Sequence, residues 1–496
     1  YTRTFLTGNL NVSARPITVS CDNLARVYGD SNPVLTYSVA ADGVGTSRGF
    51  YGSDTLSGAL ATASQSSNVG SYSITQGNLD NSNYVITYNG GNLNISPRPI
   101  TINGSSQSRT YGDANSSIIY SVAADGVGTS RGIYGSDTLS GSLATSPLES
   151  SSVGSYSHTH GTMNNANNSN YLITFVDGNL SVTARPITVT GTNQSRSFGN
   201  ANPALTYTVA ADGVGTSRGL YGSDNLGGTL STAASLSSFV GNYAITQNTL
   251  ANSNYAITYN QGNLSVLADP GNFVWTAATA GNWSTASNWN QGVAPVANAQ
   301  VTVPSLSSAL IFDSGTANLK SLVAGSPLTI SGGNFTLGDT SSLSGALTVN
   351  GGTLTLAGGT FTVPSAAVTT GGRLISNGGN LALPPGVPLS NTGSLSLANA
   401  TILYAIDNLG SISLGGGLIF KQLFSNQGTL EFTSGNNTFE AGLEQSAGLM
   451  WLRGGNIIGN GSLNGGTLGG NGSIFGNLSV GKAFVAPGNS PGMLNI

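Results

Sequence analysis

The sequence AADGVGTSRGxYGSDxL occurs three times in this chain, at Ala40–Leu56, Ala123–Leu139 and Ala210–Leu226. Around each copy the same shorter motifs follow one another in a fixed order. Arg-Pro-Ile-Thr and an aromatic-Gly-Asp or aromatic-Gly-Asn turn come before it, and Val-Gly-x-Tyr, Asn-Tyr-x-Ile-Thr and Gly-Asn-Leu come after it. Self-similarity of this length indicates tandem copies of one small domain rather than a single large core.

The repeated modules carry the signals of β-sheet. Pro-Ile-Thr-Val and Tyr-Val-Ile-Thr-Tyr are short runs of β-branched and aromatic residues with period-two spacing, as expected of strands with one buried face. Asn-Pro, Asp-Gly and Gly-Asn pairs separate these runs and are typical of turns. The sequence therefore predicts an all-β chain that contains tandem small β-sheet modules. Their predicted bounds are 14–96, 97–183 and 184–268.

Composition indicates an extracellular protein and excludes several functions. Only 7% of the 496 residues are charged, the net charge is −4, and 71 residues are glycine. Lysine and arginine form no cluster, so the electrostatic footprint of a nucleic-acid-binding protein is missing. The single cysteine, Cys21, cannot form an internal disulfide, and no apolar run is long enough for a membrane span. We therefore expect a protein of the bacterial cell surface with no nucleic-acid partner.

One arginine and two aspartates recur at fixed positions of the long repeat. In the first copy they are Asp42, Arg48 and Asp54. An arginine between two carboxylates predicts a structural staple in which ion pairs hold the loop in place. A calcium site built from the paired aspartates is the alternative, although an arginine in the same loop disfavours a bound cation. The same positions in the other copies are Asp125, Arg131, Asp137, Asp212, Arg218 and Asp224.

The module motifs resemble a known bacterial family. Arg-Pro-Ile-Thr-Val, Tyr-Gly-Asp-x-Asn-Pro-x-Leu-Thr-Tyr and Asn-Tyr-x-Ile-Thr-Tyr are similar to the MBG/YDG modules of filamentous-haemagglutinin-like bacterial surface proteins. The resemblance covers about residues 1–268. It implies a small β-sheet domain used as a spacer or stalk, and it brings no catalytic residues with it.

Residues 1–13 match no complete module. The motif Gly8-Asn9-Leu10-Asn11-Val12 is similar to the closing strand Gly91–Ile95, so the segment is expected to be part of a module in a piece of a longer secreted precursor. The alternative is a donor strand that adds to the sheet edge of a neighbouring copy, which would make copies self-associate head to tail. The apolar residues that such a strand would insert are Phe5, Leu6, Leu10 and Val12.

A tryptophan-rich segment, 269–300, separates the modules from the second half of the chain. It begins at Asp269-Pro270-Gly271 and holds three of the four tryptophans. The first coil of a solenoid needs a cover over its exposed end, so we expect these side chains to form a cap. Stacking on a sugar ring is the alternative. The three residues are Trp275, Trp283 and Trp289.

Residues 301–496 consist of short apolar runs, such as Leu328-Thr329-Ile330 and Leu347-Thr348-Val349, separated by Gly-Gly, Asn-Gly or Ser-Gly. Strands this short predict a parallel β-helix of about ten coils, at roughly twenty residues each. The tryptophan-rich opening and the motif Ala-Pro-Gly-Asn-Ser-Pro-Gly-Met-Leu at 486–494 resemble those of autotransporter passengers and related secreted β-helix proteins. This second resemblance covers about residues 271–496.

The sequence contains no group of residues that predicts catalysis. Glu440 and Glu444 are a close carboxylate pair, and glycosidases use such pairs, but few other charges surround them. A carbohydrate-active β-helix protein is therefore the third hypothesis. His158 and His160 offer half a metal site, which the other modules lack. We expect no enzyme activity, no catalytic or metal-binding residues and no cofactor.

Taken together, these features predict a secreted bacterial structural protein. Tandem sheet modules leading into a β-helix suit a stiff extracellular rod or filament that acts in surface adhesion, in biofilm, or in contact with other cells or a matrix. The stalk of a monomeric adhesin that does not polymerise is the competing hypothesis. The expected partners are further copies of the chain, surface glycans and neighbouring cells.

Overall fold

The computed structural model describes residues 1–487 and 494–495, and in this part the chain is built from β-strands. One 3-10 turn, Ala286–Asn288, is the helical element among these residues. The described chain has no helix that is long and apolar enough to cross a membrane. The predicted fold class, small sheet modules followed by a parallel β-solenoid, is confirmed. Positions 488–493 of the predicted 486–494 motif lie outside the described residues.

The first module folds its six strands into two small sheets. One sheet has the first strand at its centre, antiparallel to the third and parallel to the fifth. The other has the sixth strand at its centre, parallel to the second and antiparallel to the fourth. Alternate residues of the central strands, such as Ile17 and Leu93, are buried. In chain order the strands are Arg15–Ser20, Leu24–Val27, Ser38–Val39, Gly70–Ser73, Tyr84–Asn89 and Asn92–Ser96.

The second and third modules repeat this plan with one more short strand each, which lengthens the second sheet to four strands. The strands of the second module are Arg98–Gly104, Gln107–Thr110, Tyr120–Val122, Ala144–Thr145, Gly154–Thr159, Tyr171–Val176 and Asn179–Thr183. Those of the third are Arg185–Gly191, Gln194–Ser197, Tyr207–Val209, Ser231–Thr232, Gly241–Thr246, Tyr255–Asn260 and Gly262–Leu267.

By internal packing the chain divides into two compact units, and the third module contributes residues to both. The first unit contains residues 1–189, which include modules one and two and the start of module three, together with 209–228 and 250–258 of module three. The second unit contains 190–208 and 229–249 of module three and the chain from residue 259 onward.

The second unit contains a β-solenoid of about 9 turns over residues 299–486, against about ten coils predicted. Its strands pair in parallel with those one turn away, as Leu328–Ile330 does with Leu347–Val349 and the latter with Ala366–Val368. Inward side chains such as Leu328 and Ile330 are fully buried and stack into one continuous apolar core. Threonine and serine between them face outward, which explains the apolar-polar-apolar pattern of the short runs.

The strands of this part, in chain order, are Phe273–Val274, Ala299–Val303, Leu310–Phe312, Thr316–Ala324, Leu328–Ile330, Asn334–Leu337, Ser341–Leu343, Leu347–Val349, Thr353–Leu356, Thr360–Thr362, Ala366–Val368, Arg373–Asn377, Asn380–Ala382, Leu389–Asn391, Ser394–Ala398, Thr401–Ile402, Ile406–Asn408, Ser411–Leu414, Leu418–Phe420, Phe424–Asn426, Thr429–Phe432, Asn436–Gln445, Leu449–Arg453, Asn456–Leu463, Thr467–Phe475, Leu478–Val480, Phe484–Pro487 and Leu494–Asn495.

Candidate functional site

The most repetitive chemistry of the chain lies where one module meets the next. The turn Tyr28-Gly29-Asp30, which follows the strand Leu24–Val27, enters the second module between its long repeat and its Asn-Tyr strand. We call this turn, and its equivalent Tyr111–Asp113 in the second module, the YGD turn. Gly29 and Gly112 have φ of 81° and 83°, a conformation that glycine adopts without steric cost.

The phenol of the YGD turn binds an aspartate of the following module. Tyr28 Oη donates to Asp137 Oδ2 at 3.0 Å, and Tyr171 Oη donates to the same oxygen at 2.6 Å. The Tyr28 ring packs edge-on against Tyr134 and Tyr171, with centroids 5.4 and 5.7 Å apart. Burial and then the Asp137 carboxylate raise the pKa of Tyr28, so the phenol stays protonated and able to donate.

The carboxylate of the turn binds two arginines of the following module. Arg131 Nη1 lies 2.7 Å from Asp30 Oδ2, and Arg98 Nη1 lies 3.3 Å from Asp30 Oδ1. The Arg98 side chain also donates to the Tyr28 carbonyl and to the carbonyl of Gly132, which fixes it beneath the turn. The hydrogen bond to Asp30 raises the pKa of Arg131.

The second junction repeats these contacts. Tyr111 and Tyr255 both donate to Asp224 Oδ2, at 2.9 and 2.5 Å. Arg218 binds Asp113 through two hydrogen bonds of 2.8 Å each, and this pairing lowers the pKa of Asp113. Burial, reinforced by the hydrogen bond to Asp224, raises the pKa of Tyr255 to about 12. Bidentate arginine–carboxylate pairs of this kind are both strong and directional.

Close approach and a backbone contact complete each junction. A Cβ on Gly29 would lie 2.5 Å from the Tyr134 ring, and one on Gly112 would lie 2.6 Å from the Tyr221 ring. The glycine therefore lets the following tyrosine lie directly on the turn. The amide of Val69 donates to Asn170 Oδ1 at 2.9 Å, and that of Val153 donates to Asn254 Oδ1 at 3.0 Å.

These residues define a receiving face in each module. In the second module it consists of Arg98, Arg131, Tyr134, Asp137, Asn170 and Tyr171. In the third module it consists of Arg185, Arg218, Tyr221, Asp224, Asn254 and Tyr255.

The corresponding turn of the third module, Phe198-Gly199-Asn200, has a different environment. Phe198 packs on its own module's buried cluster, and a Cβ on Gly199 would meet no atom within 4 Å. Here the amide of Val240 donates to the carbonyl of Gln291 at 3.0 Å. This turn has neither the hydroxyl nor the carboxylate that the receiving faces bind.

The arginines of the predicted loop staple bind in a different place from the one expected. Arg131 and Arg218 pair with Asp30 and Asp113 of the preceding module rather than with a carboxylate of their own loop. Asp54, Asp137 and Asp224 instead accept tyrosine hydroxyls.

The remaining staple residues make weaker contacts. Asp42 and Asp212 lie 3.8 and 4.0 Å from Arg15 and Arg185, respectively. Arg48 and Asp125 form no ion pair within 4 Å in the described chain. No group of three or more His, Cys, Asp or Glu residues that could hold a metal ion is found within residues 1–487.

The three tryptophans of the predicted cap lie at the start of the solenoid. Trp289 packs edge-on against Trp275 and Trp283, with centroids 5.0 and 4.8 Å apart, and Trp283 packs against Phe335. Each is at least 97% buried within the solenoid core, and the indole nitrogen of Trp289 donates to the Trp283 carbonyl at 2.8 Å. None of the three presents an open ring face on which a sugar could stack.

Residues 1–14 form no strand, and the four residues of the possible donor strand are highly exposed. Phe5, Leu6, Leu10 and Val12 each keep at least 85% of their accessible surface. In the solenoid, Glu440 forms an ion pair with Lys421, and Glu444 lies on the same strand, Asn436–Gln445. His158 is buried, whereas His160 lies beyond the end of the same strand and is exposed.

A buried amide ladder inside the solenoid was missed by sequence reasoning. Asn391 Nδ2 donates to Asn408 Oδ1 at 2.7 Å, and Asn408 Nδ2 donates to Asn426 Oδ1 at 2.6 Å. Asn426 continues the ladder to Gln445 Oε1 at 3.2 Å, and Gln445 ends it on the Thr467 carbonyl. The signal in the sequence is an Asn-x-Gly that recurs once per turn after a short strand.

Comparison with known proteins supports the reading of the modules. A family model described as the MBG domain (YGX type) matches residues 17–94, 100–181 and 187–265, which confirms the resemblance inferred from the motifs. The comparison with curated proteins finds no match. A solved structure of the I9–I11 tandem from titin is 11% identical and covers 51% of this chain and 100% of its own, with a TM-score of 0.17. A likeness that low carries no argument about fold or function.

Proposed function

Because the chain contains three MBG domains of the YGX type followed by a parallel β-solenoid, we propose that it is a bacterial surface protein of the adhesin type. In this proposal the MBG domains act as a stiff extracellular stalk, and the chain works through its shape and not through catalysis. MBG domains are typical of surface proteins, and the low charge of the chain suits an extracellular structural role.

The observation that carries the proposal is the repeated lock at the junctions within the first unit. Each junction buries a tyrosine, pairs one carboxylate with arginines and ties one backbone amide to an asparagine. A bend at the junction would break all of these contacts together, and the separated polar and charged groups would lose their hydrogen-bond partners. Two successive junctions of the same design favour a stalk that resists bending over a string of freely hinged domains.

The experiment replaces the carboxylate of each YGD turn in the full chain. Asp30→Asn together with Asp113→Asn removes the charge at both junctions and changes the side-chain volume little. We expect small-angle X-ray scattering to show a broader distribution of interatomic distances for this variant than for the unmodified chain. Asp42→Asn with Asp212→Asn is the matched control, because these exposed aspartates make only long contacts. Identical scattering from all three proteins would contradict the stalk.

A second candidate function, a filament subunit, is favoured by the exposed apolar segment at residues 1–13. Leu6, Leu10 and Val12 would share one face of a strand added to a neighbour's sheet, and all four apolar residues, Phe5 included, are exposed as such a strand requires. Electron microscopy of the full chain and of a chain lacking residues 1–13 tests this candidate. Fibres that need the segment would support it, whereas fibres that persist without it, or no fibres at all, would contradict it.

A further inference from the structure

The first module carries the same receiving face as the other two, residue for residue. It consists of Arg15, Arg48, Tyr51, Asp54, Asn83 and Tyr84. All of these residues except Arg48 line a cleft of about 290 Å³, together with Ser82 and the chain at 12–14. The face is therefore chemically identical to the two that bind YGD turns elsewhere in the chain.

The face of the first module is already arranged for binding. Tyr84 Oη donates to Asp54 Oδ2 at 2.7 Å, as Tyr171 does to Asp137. The Tyr51 amide donates to Tyr84 Oη at 2.9 Å, and Arg15 Nε donates to the Gly49 carbonyl at 2.7 Å. The same contacts at the second module measure 3.1 and 2.9 Å. No rearrangement is needed to bind a turn there.

Exposure distinguishes this face from its two counterparts. Tyr51 is 74% exposed, whereas Tyr134 and Tyr221 are half-buried against the turns they receive. The Arg15 side chain is 26% exposed, against 10% for Arg98 and 9% for Arg185. The other members, Arg48, Asp54 and Asn83, are also exposed where their counterparts are half-buried.

We propose that this face binds the YGD turn of a further MBG domain that precedes the first module in the same polypeptide. The phenol of that turn donates to Asp54, its carboxylate binds Arg15 and Arg48, and its glycine lies under Tyr51. The charges are complementary, and the two occupied junctions supply the geometry. The inference extends the proposed stalk by one domain, but it is tested at a face that the stalk experiment does not touch.

Covalent linkage is favoured by the residues that lead into the face. Gly8-Asn9-Leu10-Asn11-Val12 is similar to the closing strand Gly91–Ile95, and Arg15-Pro16 follows it at the same spacing as Arg98-Pro99. A second copy of this chain is a poor occupant. Its YGD turns are engaged in its own junctions, and its third turn offers Phe198 and Asn200 in place of the phenol and the carboxylate.

The test extends the full chain by placing a copy of residues 97–183 directly ahead of Ala14, in place of residues 1–13. The added copy presents its Tyr-Gly-Asp turn to the face of the first module. Hydroxyl-radical labelling of Tyr51, read by mass spectrometry, is the measurement. We expect labelling of Tyr51 to fall to the level of Tyr221 in the same molecule, because Tyr221 receives this same turn in the native chain.

The matched control carries Phe and Asn in the added copy, as Tyr111→Phe and Asp113→Asn, which imitates the turn of the third module. We expect Tyr51 to stay as accessible in this control as in the chain without the extension. Asp54→Asn in the extended chain should also restore labelling, and it leaves the added copy intact. Protection that is absent with the Tyr-Gly-Asp turn, or equal with the Phe-Gly-Asn turn, would overturn the proposal. Protection in the unmodified chain that grows with its concentration would assign the face to self-association instead.

Discussion

At the scale of single residues, Asp113 makes the second junction sensitive to acid. Its pairing with Arg218 holds its pKa below the usual value, so the ionised carboxylate contributes stability above the unfolded pKa, about 4. That contribution is lost as pH falls through the lower, folded pKa. We expect the thermal unfolding temperature of the modules to fall in this acid range, and less steeply for Asp113→Asn. The same slope for both proteins would show that the pair does not couple folding to protons.

Tyr255 makes the same junction sensitive to alkali. Its pKa is raised from 10.0 to about 12, so its contribution to stability is complete below the unfolded value of 10.0. It is lost as pH rises through the folded value, because the phenolate cannot donate to Asp224. We expect thermal unfolding followed by circular dichroism to show that the unmodified chain loses stability between these two pH values. Tyr255→Phe lacks the hydroxyl, so its stability should be lower at the start and should change less over the same range. A parallel decline of the two proteins would refute this.

Asn408 lies in the middle of the amide ladder, where it binds both Asn391 and Asn426. Asn408→Ala leaves the buried Asn426 acceptor without its Asn408 donor, and leaves the Asn391 amide with only its longer hydrogen bond to the Ser411 carbonyl. We expect the free energy of unfolding of the solenoid to fall by roughly 3 kcal/mol in urea titrations. Asn350→Ala is the control, because Asn350 is exposed on the same solenoid and should change little. Equal effects at both positions would remove any special role for the ladder.

At the scale of elements, comparing the turns of the second and third modules distinguishes two reasons for the glycine: its backbone conformation and its contact with the following module. Gly112 and Gly199 have nearly equal φ, 83° and 81°, but of these two positions only Gly112 lies so close to a tyrosine that an added Cβ would collide with its ring. Alanine at either site meets the left-handed cost of about 1 kcal/mol. We expect Gly112→Ala to destabilise the chain clearly more than Gly199→Ala in thermal unfolding. If the two variants unfold alike, the tyrosine does not need the glycine.

The strands were predictable from the sequence because their signals are local. Period-two alternation and turn pairs lie within a few residues of each other, and the same holds for the apolar-Thr-apolar runs of the solenoid. The partner of Arg131 was not predictable in this way. Asp30 lies 101 positions earlier in the chain. Asp125 and Asp137 lie in the same loop as Arg131, so the sequence predicted them as its partners.

Two signals could have corrected that inference. The change from Tyr-Gly-Asp to Phe-Gly-Asn falls in the third module, which is followed directly by the tryptophan-rich segment instead of another module, and this links the turn to the next domain. The amide ladder was harder to find, because its steps of 17, 18 and 19 residues are uneven and asparagine is abundant in the turns around it. Because the solenoid turns differ in length, these residues are unevenly spaced in the sequence, although they lie directly above one another in the structure.

At the scale of the whole molecule, the two kinds of architecture should respond differently to salt. The junctions use partly exposed Arg–Asp pairs, which salt screens. The solenoid also has two exposed ion pairs, Lys421–Glu440 and Arg453–Glu431, but it is held by an apolar core and neutral amides. We expect molar sodium chloride to reduce the stability of the modules by about 1 kcal/mol. Calorimetry should show little loss for the solenoid in the same salt. A larger loss for the solenoid would contradict this division.

The identity of the two occupied receiving faces also bears on how such genes change. Deleting residues 97–183 would bring Tyr28-Gly29-Asp30 onto the arginines and tyrosines that Tyr111-Gly112-Asp113 now contacts. Unequal recombination between the repeats can therefore remove or add whole modules, and each new junction would still pair a YGD turn with a matching receiving face. The number of modules can then change in single genetic steps while every remaining junction keeps its contacts.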